Sequence, residues 1–167
     1  MLGMKKLIKK SIGYVTGTFD PPTIGHLEVI ERASTMFKKV YVVILINPDK
    51  ITKFNIEDRL KMLKAMTAKF KNVKCDFYGG YAADYAKKHG LGMLVRGIRN
   101  EQDDKYEKEM ASYNEGLGVS TVFLLSQTDL VDVSSTRAKE LIGICNYSLV
   151  PPEVARIIKE IYGVPQT

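Results

Sequence analysis

The sequence predicts a doubly wound α/β fold: a five-stranded parallel sheet with helices on both faces, in a single domain over residues 1–167. Three observations carry that prediction. Short apolar runs rich in β-branched residues alternate with amphipathic stretches along the chain. The runs are continuous and not inside-outside alternating, as expected of strands covered on both faces. No repeat, linker or low-complexity segment interrupts the order.

The first strand is "IGYVT" (12–16) and the second "VYVVILI" (40–46). Between them Leu27, Ile30 and Phe37, with Val29, Ala33 and Met36, recur at helical spacing. "NIEDRLKMLKAMTAKF" (55–70) predicts a second helix, with Asn55 as N-cap and Asp58 completing the cap signature. "VKCDFY" (73–78) is the third strand, and "AADYAKKHG" (82–90) a short helix stopped by Gly90. "MLVRG" (93–97) makes the fourth strand, and "DDKYEKEMASYNEG" (103–116) a charged helix with acids at its positive end. "STVFLLS" (120–126) is the fifth strand. "SSTRAKELI" (134–142) opens on a serine cap, and "PPEVARIIKEIYG" (151–163) puts Pro152 in the first helical turn. Sheets of this kind bind ligands beyond the carboxyl ends of their strands, where strand order reverses. The loops at 17–26, 47–54, 79–81, 97–102 and 127–133 are therefore the ones to inspect.

Composition excludes several classes. A chain of 167 residues, 45% hydrophobic and 26% charged, has the balance of a globular protein with room for a core. No apolar run approaches the ~20 residues of a membrane span, so no membrane partner is expected. Residues 1–10 are basic but lack the apolar stretch and cleavage site of a secretory signal, and are set aside as an N-terminal extension. Cys75 and Cys145, well separated, suit a reducing cytoplasmic setting and no metal cluster. The net charge of +6 invites a polyanion, but the lysines are scattered, which favours a solvated face and a small phosphate-rich substrate over nucleic acid. The dinucleotide fingerprint, the G-x-S-x-G elbow and H-E-x-x-H are missing. "GMLVRGIR" (92–99) has the glycine spacing of a phosphate loop but carries Ile98-Arg99 where Lys-Ser/Thr belongs.

What remains is a set of phosphate-oriented devices. In "GTFDPPTIGH" (17–26) a glycine ends a strand, Thr18 adds a hydroxyl, two prolines stiffen the turn, and His26 lies at a helix mouth. A helix-capping turn with an incidental histidine is the plain alternative for that stretch alone. "VSSTRAKE" (133–140) sets two serines and a threonine at a second helix mouth, where capping needs one hydroxyl. Arg96 and Arg99 flank the end of the fourth strand in "RGIRN", and Lys50 follows the second in "NPDK". Four such devices in four strand-end loops of one sheet point to a shared phosphate site.

The stretch "GTFDPPTIGH" resembles the T/HxGH signature of the nucleotidylyltransferase superfamily, and "VSSTRAKEL" its ISSTxxR-type motif. With "NPDK" and "RGIRNEQDDKYEKEMASYN" in the same order, residues 12–162 are similar to the bacterial phosphopantetheine adenylyltransferase family. The family's fold is the Rossmann-like sheet already derived. The resemblance implies adenylyl transfer from ATP to 4′-phosphopantetheine, giving dephospho-coenzyme A and pyrophosphate, by in-line attack with no covalent intermediate. It assigns His26, Lys50 and Thr18 to catalysis, with Lys50 between the two substrates' phosphates and Thr18 touching both. Thr18, Lys50, Arg96 and Ala82 would hold the acceptor, Ala82 against its pantetheine arm. Thr18, Phe19, His26, Gly97, Ile98, Arg99 and Glu107 would hold ATP, under a loop of Leu130, Val131, Asp132, Val133, Ser134, Ser135 and Thr136. Magnesium (Mg2+) would arrive on the triphosphate with no protein metal site. A cytoplasmic homohexamer, with coenzyme A as a feedback ligand, is also implied. The sequence departs from the family pattern at Thr16, Ile24, Val133 and Ala82. Thr23 in place of a first histidine weakens a glycerol-phosphate cytidylyltransferase reading. A nicotinate or nicotinamide mononucleotide adenylyltransferase shares the first motif and is the alternative enzyme; a silent nucleotide sensor and an RNA-binding module are the alternatives from other classes.

Overall fold

The computed structural model describes residues 11–90 and 92–166, with Gly3 ahead of them; the other basic-region residues of 1–10, expected above to be an extension, lie outside the described residues. Five parallel strands run β1 (Ile12–Gly17), β2 (Lys39–Leu45), β3 (Val73–Tyr78), β4 (Gly92–Ile98) and β5 (Ser120–Leu125). Their order in the sheet is β3-β2-β1-β4-β5. The chain winds outward from β1 through β2 to β3, then crosses back to lay β4 on the other side of β1. Strand order therefore reverses between β1 and β4, and a crevice opens beyond their carboxyl ends.

Among the described residues four helices join the strands, α1 (Ile24–Met36), α2 (Ile56–Thr67), α3 (Ala82–His89) and α4 (Glu101–Gly116), and two more follow β5, α5 (Ser135–Ile142) and α6 (Pro152–Tyr162). Side-chain alternation along β2 shows how both faces are covered. Val40, Val42 and Ile44 enter the larger core under α1, α2, α5 and α6, with Ile30, Leu63, Ala138 and Ile157. Tyr41 and Val43 enter a second core with Tyr14, Tyr85 and Leu94, under α3. The α4 helix packs along β4 and β5. The same alternation fixes the end of β4. Arg96 shares the face of Leu94 and turns toward α4, while Gly97 faces α1, where a Cβ would stand 2.9 Å from Val29 Cγ2. A glycine there lets β4 approach α1.

The caps explain the helix starts. Asn55 accepts from Asp58 N at 2.8 Å, Ser134 from Arg137 N at 3.0 Å, and Pro152 occupies the first turn of α6, as the sequence predicts. The charged helix starts earlier than its acidic run suggests. Asn100 caps it through Asp103 N at 2.9 Å, which brings Glu101 into the first turn. The fifth strand stops at Leu125, and a 3-10 turn over Thr128–Leu130, which no apolar period signals, carries the chain toward α5. Among the described residues no helix is long and apolar enough to cross a membrane.

Candidate active site

The motif loop fits the switch point because Thr23 caps α1 with its own third residue. Thr23 N donates to His26 Nδ1 at 2.9 Å, and His26 N donates to Thr23 Oγ1 at 3.4 Å. This is the reciprocal capping box, with an imidazole where glutamate or glutamine usually stands. It settles the chemistry of the ring. A nitrogen that accepts a backbone N–H carries no proton, so the neutral imidazole bears its hydrogen on Nε2. Nε2 has no hydrogen-bond partner among the described residues and is not closed off by burial. The cap thus uses Nδ1, and a phosphate-donor role would fall on the other nitrogen, Nε2.

Burial, then the guanidinium groups of Arg96 and Arg99, push the His26 pKa down to about 4. At neutral pH the ring is an uncharged Nε2–H donor. Phe19 packs its ring 4.8 Å from the imidazole, is 2% exposed, and holds a left-handed backbone at φ 51°. A bulky residue adopts that conformation only where its surroundings impose it. The strained position in the loop is therefore Phe19 and not Gly17.

The two arginines stand on separate carboxylates. Arg96 Nε and Nη2 form a fork on Glu107 at 2.8 and 2.7 Å, and Nη1 donates to the Thr16 carbonyl. Arg99 Nε donates to Asp103 Oδ2 at 2.8 Å, and its Nη1 to the Val133 carbonyl at 2.7 Å. Asp103 and Glu107 lie one helical turn apart on α4 and so present both carboxylates on one side. The helix presets the guanidinium planes, and Arg99 also ties the 130–136 loop to β4. Lys50 Nζ donates to Thr18 Oγ1 at 3.4 Å.

The three hydroxyls at the mouth of α5 do different work. Ser134 caps the helix, Ser135 Oγ donates to the Pro21 carbonyl at 2.8 Å, and Thr136 is exposed, its hydroxyl without a hydrogen bond among the described residues. The motif loop is braced from a third side by Arg59, 5% exposed, whose Nη1 donates to the Thr18 carbonyl at 2.8 Å.

A cleft of about 380 Å³ lies between these elements. Its walls include Thr18, Phe19, His26, Lys50, Arg96, Gly97, Arg99, Glu107, Val133, Ser134, Ser135 and Thr136, all expected from sequence. Ile98, Leu130, Val131, Asp132 and Ala82 are not on its wall. Ile98 is buried at 7% exposure, and Ala82 packs against the tyrosine core under α3. Sequence reasoning passed over Thr16, Asp20, Asp103 and Lys139, which also line the cleft. For Lys139 a signal existed: it falls one turn after Ser135 on α5 and so shares its side. Asp103 has the same spacing from Glu107.

The arrangement offers an uncharged imidazole donor, four cations (Lys50, Arg96, Arg99 and Lys139) and several hydroxyls around one crevice, and among the described residues no side chain activated as a nucleophile. That set can hold phosphates and neutralise charge that develops on them. Among the described residues no group of three or more His, Cys, Asp or Glu could hold a metal ion. Residues 14–141 match the family described as Cytidylyltransferase-like, and the chain belongs to that family of nucleotidyltransferases.

Proposed function

We propose that the chain transfers the adenylyl group of magnesium-bound ATP to 4′-phosphopantetheine, giving dephospho-coenzyme A and pyrophosphate. The supporting observation is the convergence of all four motif segments on one cleft at the switch point, with an imidazole that keeps its Nε2–H as a donor and two separately anchored arginines in the same wall. The choice of ATP and of this acceptor rests on the resemblance of those segments to the adenylyltransferase family.

On this reading an oxygen of the acceptor phosphate attacks the α-phosphorus of ATP. The bond from that phosphorus to the bridging oxygen breaks, and magnesium pyrophosphate leaves. A phosphate is already a competent nucleophile at neutral pH, so the protein positions both groups and stabilises charge. His26 Nε2–H donates to the α-phosphate oxygens, and Thr18 and Lys50 bridge the two substrates. Arg96 takes the acceptor phosphate and Arg99 the ATP phosphates, each through the donors that its carboxylate leaves over. Glu107 serves first as the brace of Arg96; an adenosine contact would use its remaining lone pairs. The serine-rich loop 133–136 closes the nucleotide side.

The test is an acceptor panel. Pyrophosphate release is measured with ATP or CTP against 4′-phosphopantetheine, nicotinate mononucleotide and glycerol 3-phosphate. Turnover with ATP and phosphopantetheine, at least ~10²-fold above every other pair, is expected. Preference for another pair overturns the substrate assignment and leaves nucleotidyl transfer standing.

A further inference from the structure

Asp20 is a buried carboxylate, 2% exposed, in the middle of the motif loop, and none of the roles above uses it. Its two oxygens take three donors from two directions. Phe54 N donates to Oδ1 at 2.9 Å and Lys53 N to Oδ2 at 2.9 Å, from the end of the β2–α2 loop. Lys139 Nζ, on α5, donates to Oδ2 at 3.2 Å. A buried charge of this kind is costly unless fully satisfied, and here it is. The donors explain its tolerance but not the need for a carboxylate.

The need lies in the loop that carries Lys50. Residues 46–51 are exposed, Ile51 to 97%. Over residues 47–54 the internal turn is made by Asn47, which binds Asp49 N and Lys50 N. The loop's hydrogen bonds to the motif loop are those from Lys53 and Phe54 to Asp20, and the long one from Lys50 Nζ to Thr18. Asp20, together with the buried Phe54 ring at 3% exposure, thus anchors the end of a loop whose residues 46–51 are exposed, joined three residues after Lys50. From the other side it holds Lys139, on the helix that also presents Ser135 and Thr136.

We propose that Asp20 is a positioning residue for phosphate transfer: its carboxylate fixes the Lys50 loop and Lys139 across the cleft from one another, and so sets where Lys50 meets the phosphates. This rests on the reading of the cleft as a phosphate-transfer site. A neutral isostere cannot replace the carboxylate. In Asp20→Asn one acceptor oxygen becomes an NH₂ donor, which faces either a backbone N–H or the Lys139 ammonium.

The test is a double-mutant cycle on D20N and K50A, read as kcat for pyrophosphate release with ATP and phosphopantetheine. D20N should lower kcat roughly ten- to hundred-fold at full substrate saturation, with far-UV circular dichroism unchanged. In the K50A background D20N should cost less than about threefold, because the group it positions is gone. Two independent, multiplying defects overturn the proposal: Asp20 then acts on the fold at large. Native-state hydrogen exchange on the wild-type chain guards against a D20N variant that fails to fold. The amides of Lys53 and Phe54 should exchange at least ~10²-fold more slowly than those of Ile51 and Thr52, and equal rates overturn the anchor. If the wild-type chain releases no pyrophosphate with this acceptor, the substrate reading fails by itself. The same cycle, read as ATP affinity by calorimetry, then decides the placement: coupled losses support it and additive ones overturn it.

Discussion

Replacing His26 by alanine removes two interactions that can be separated by measurement. The first, on the proposed function, is the Nε2–H donor to the α-phosphate; one transition-state donor of this kind is worth about 10²–10³ in turnover. The second is the cap. Thr23 is 1% exposed and its N–H gives its hydrogen to Nδ1 at 2.9 Å, so the variant leaves a buried N–H without an acceptor. That costs roughly 1–3 kcal/mol of stability. Against a typical total of about 5–15 kcal/mol, the variant stays overwhelmingly folded at room temperature, so unfolding cannot account for a hundredfold loss of turnover. The two effects part company in Thr23→Ala. That substitution removes Oγ1, the acceptor of His26 N, and keeps the Thr23 N–H bond to Nδ1, so it should cost about 1 kcal/mol in urea unfolding and less than about tenfold in kcat. Steady-state pyrophosphate release and urea titration are run on wild type, H26A and T23A. If T23A loses as much turnover as H26A, or if H26A keeps near-full turnover, the imidazole is a structural cap and the catalytic assignment is wrong.

The two arginines should separate by substrate. Arg96→Ala should raise KM for phosphopantetheine and Arg99→Ala that for ATP, each roughly ten- to hundred-fold, because each has its own carboxylate brace; identical defects toward both substrates would refute the split. In the free protein His26 should be neutral at pH 5.5, with its proton on Nε2, and titrate at about 4; ¹⁵N ring shifts that show a protonated ring at pH 5.5 would contradict the burial and arginine arguments. Burial alone would raise the Asp20 carboxyl, but the amides of Lys53 and Phe54 and the Lys139 ammonium outweigh it and hold the pKa below the usual range. A depressed folded-state value means that this stabilisation is present above the unfolded carboxyl value of about 4 and is lost as pH falls through the folded one. The stability gap between wild type and D20N should accordingly be constant above about pH 5 and shrink below pH 4, and a gap independent of pH down to pH 2 would rule the charge out as its source.

The sheet was legible because its signals are local. Continuous β-branched runs mark strands buried on both faces, Asn55 and Ser134 mark helix starts through bonds made within one turn, and Pro152 marks one through its fixed φ and missing N–H. The site was legible at the level of loops, since a parallel sheet puts every strand-end loop on one rim. Residue partners were another matter. Nothing local to Arg96 says that it will meet Glu107, because that fork forms only when α4 lies along β4. Asp20 was opaque for a similar reason: two of its three donors are backbone amides, which have no sequence signature. Phe19 in a left-handed conformation, where glycine or asparagine would be expected, is held by burial against His26 and could not be foreseen. Ala82, assigned to the pantetheine arm by resemblance alone, opens α3, packs partly buried against the tyrosine core and is not on the cleft wall.

The central claim is that the chain brings a phosphate acceptor and a nucleotide together and supplies no nucleophile of its own. The stereochemistry at the α-phosphorus tests it most directly. With a single diastereomer of ATP carrying sulfur on the α-phosphate, one in-line displacement by the acceptor inverts the configuration in the dephospho-coenzyme A analogue. Transfer through an adenylyl-enzyme would take two displacements and return the original configuration. The account predicts complete inversion, read by phosphorus NMR of the product. Retention would place a covalent intermediate on a side chain of this cleft and contradict it.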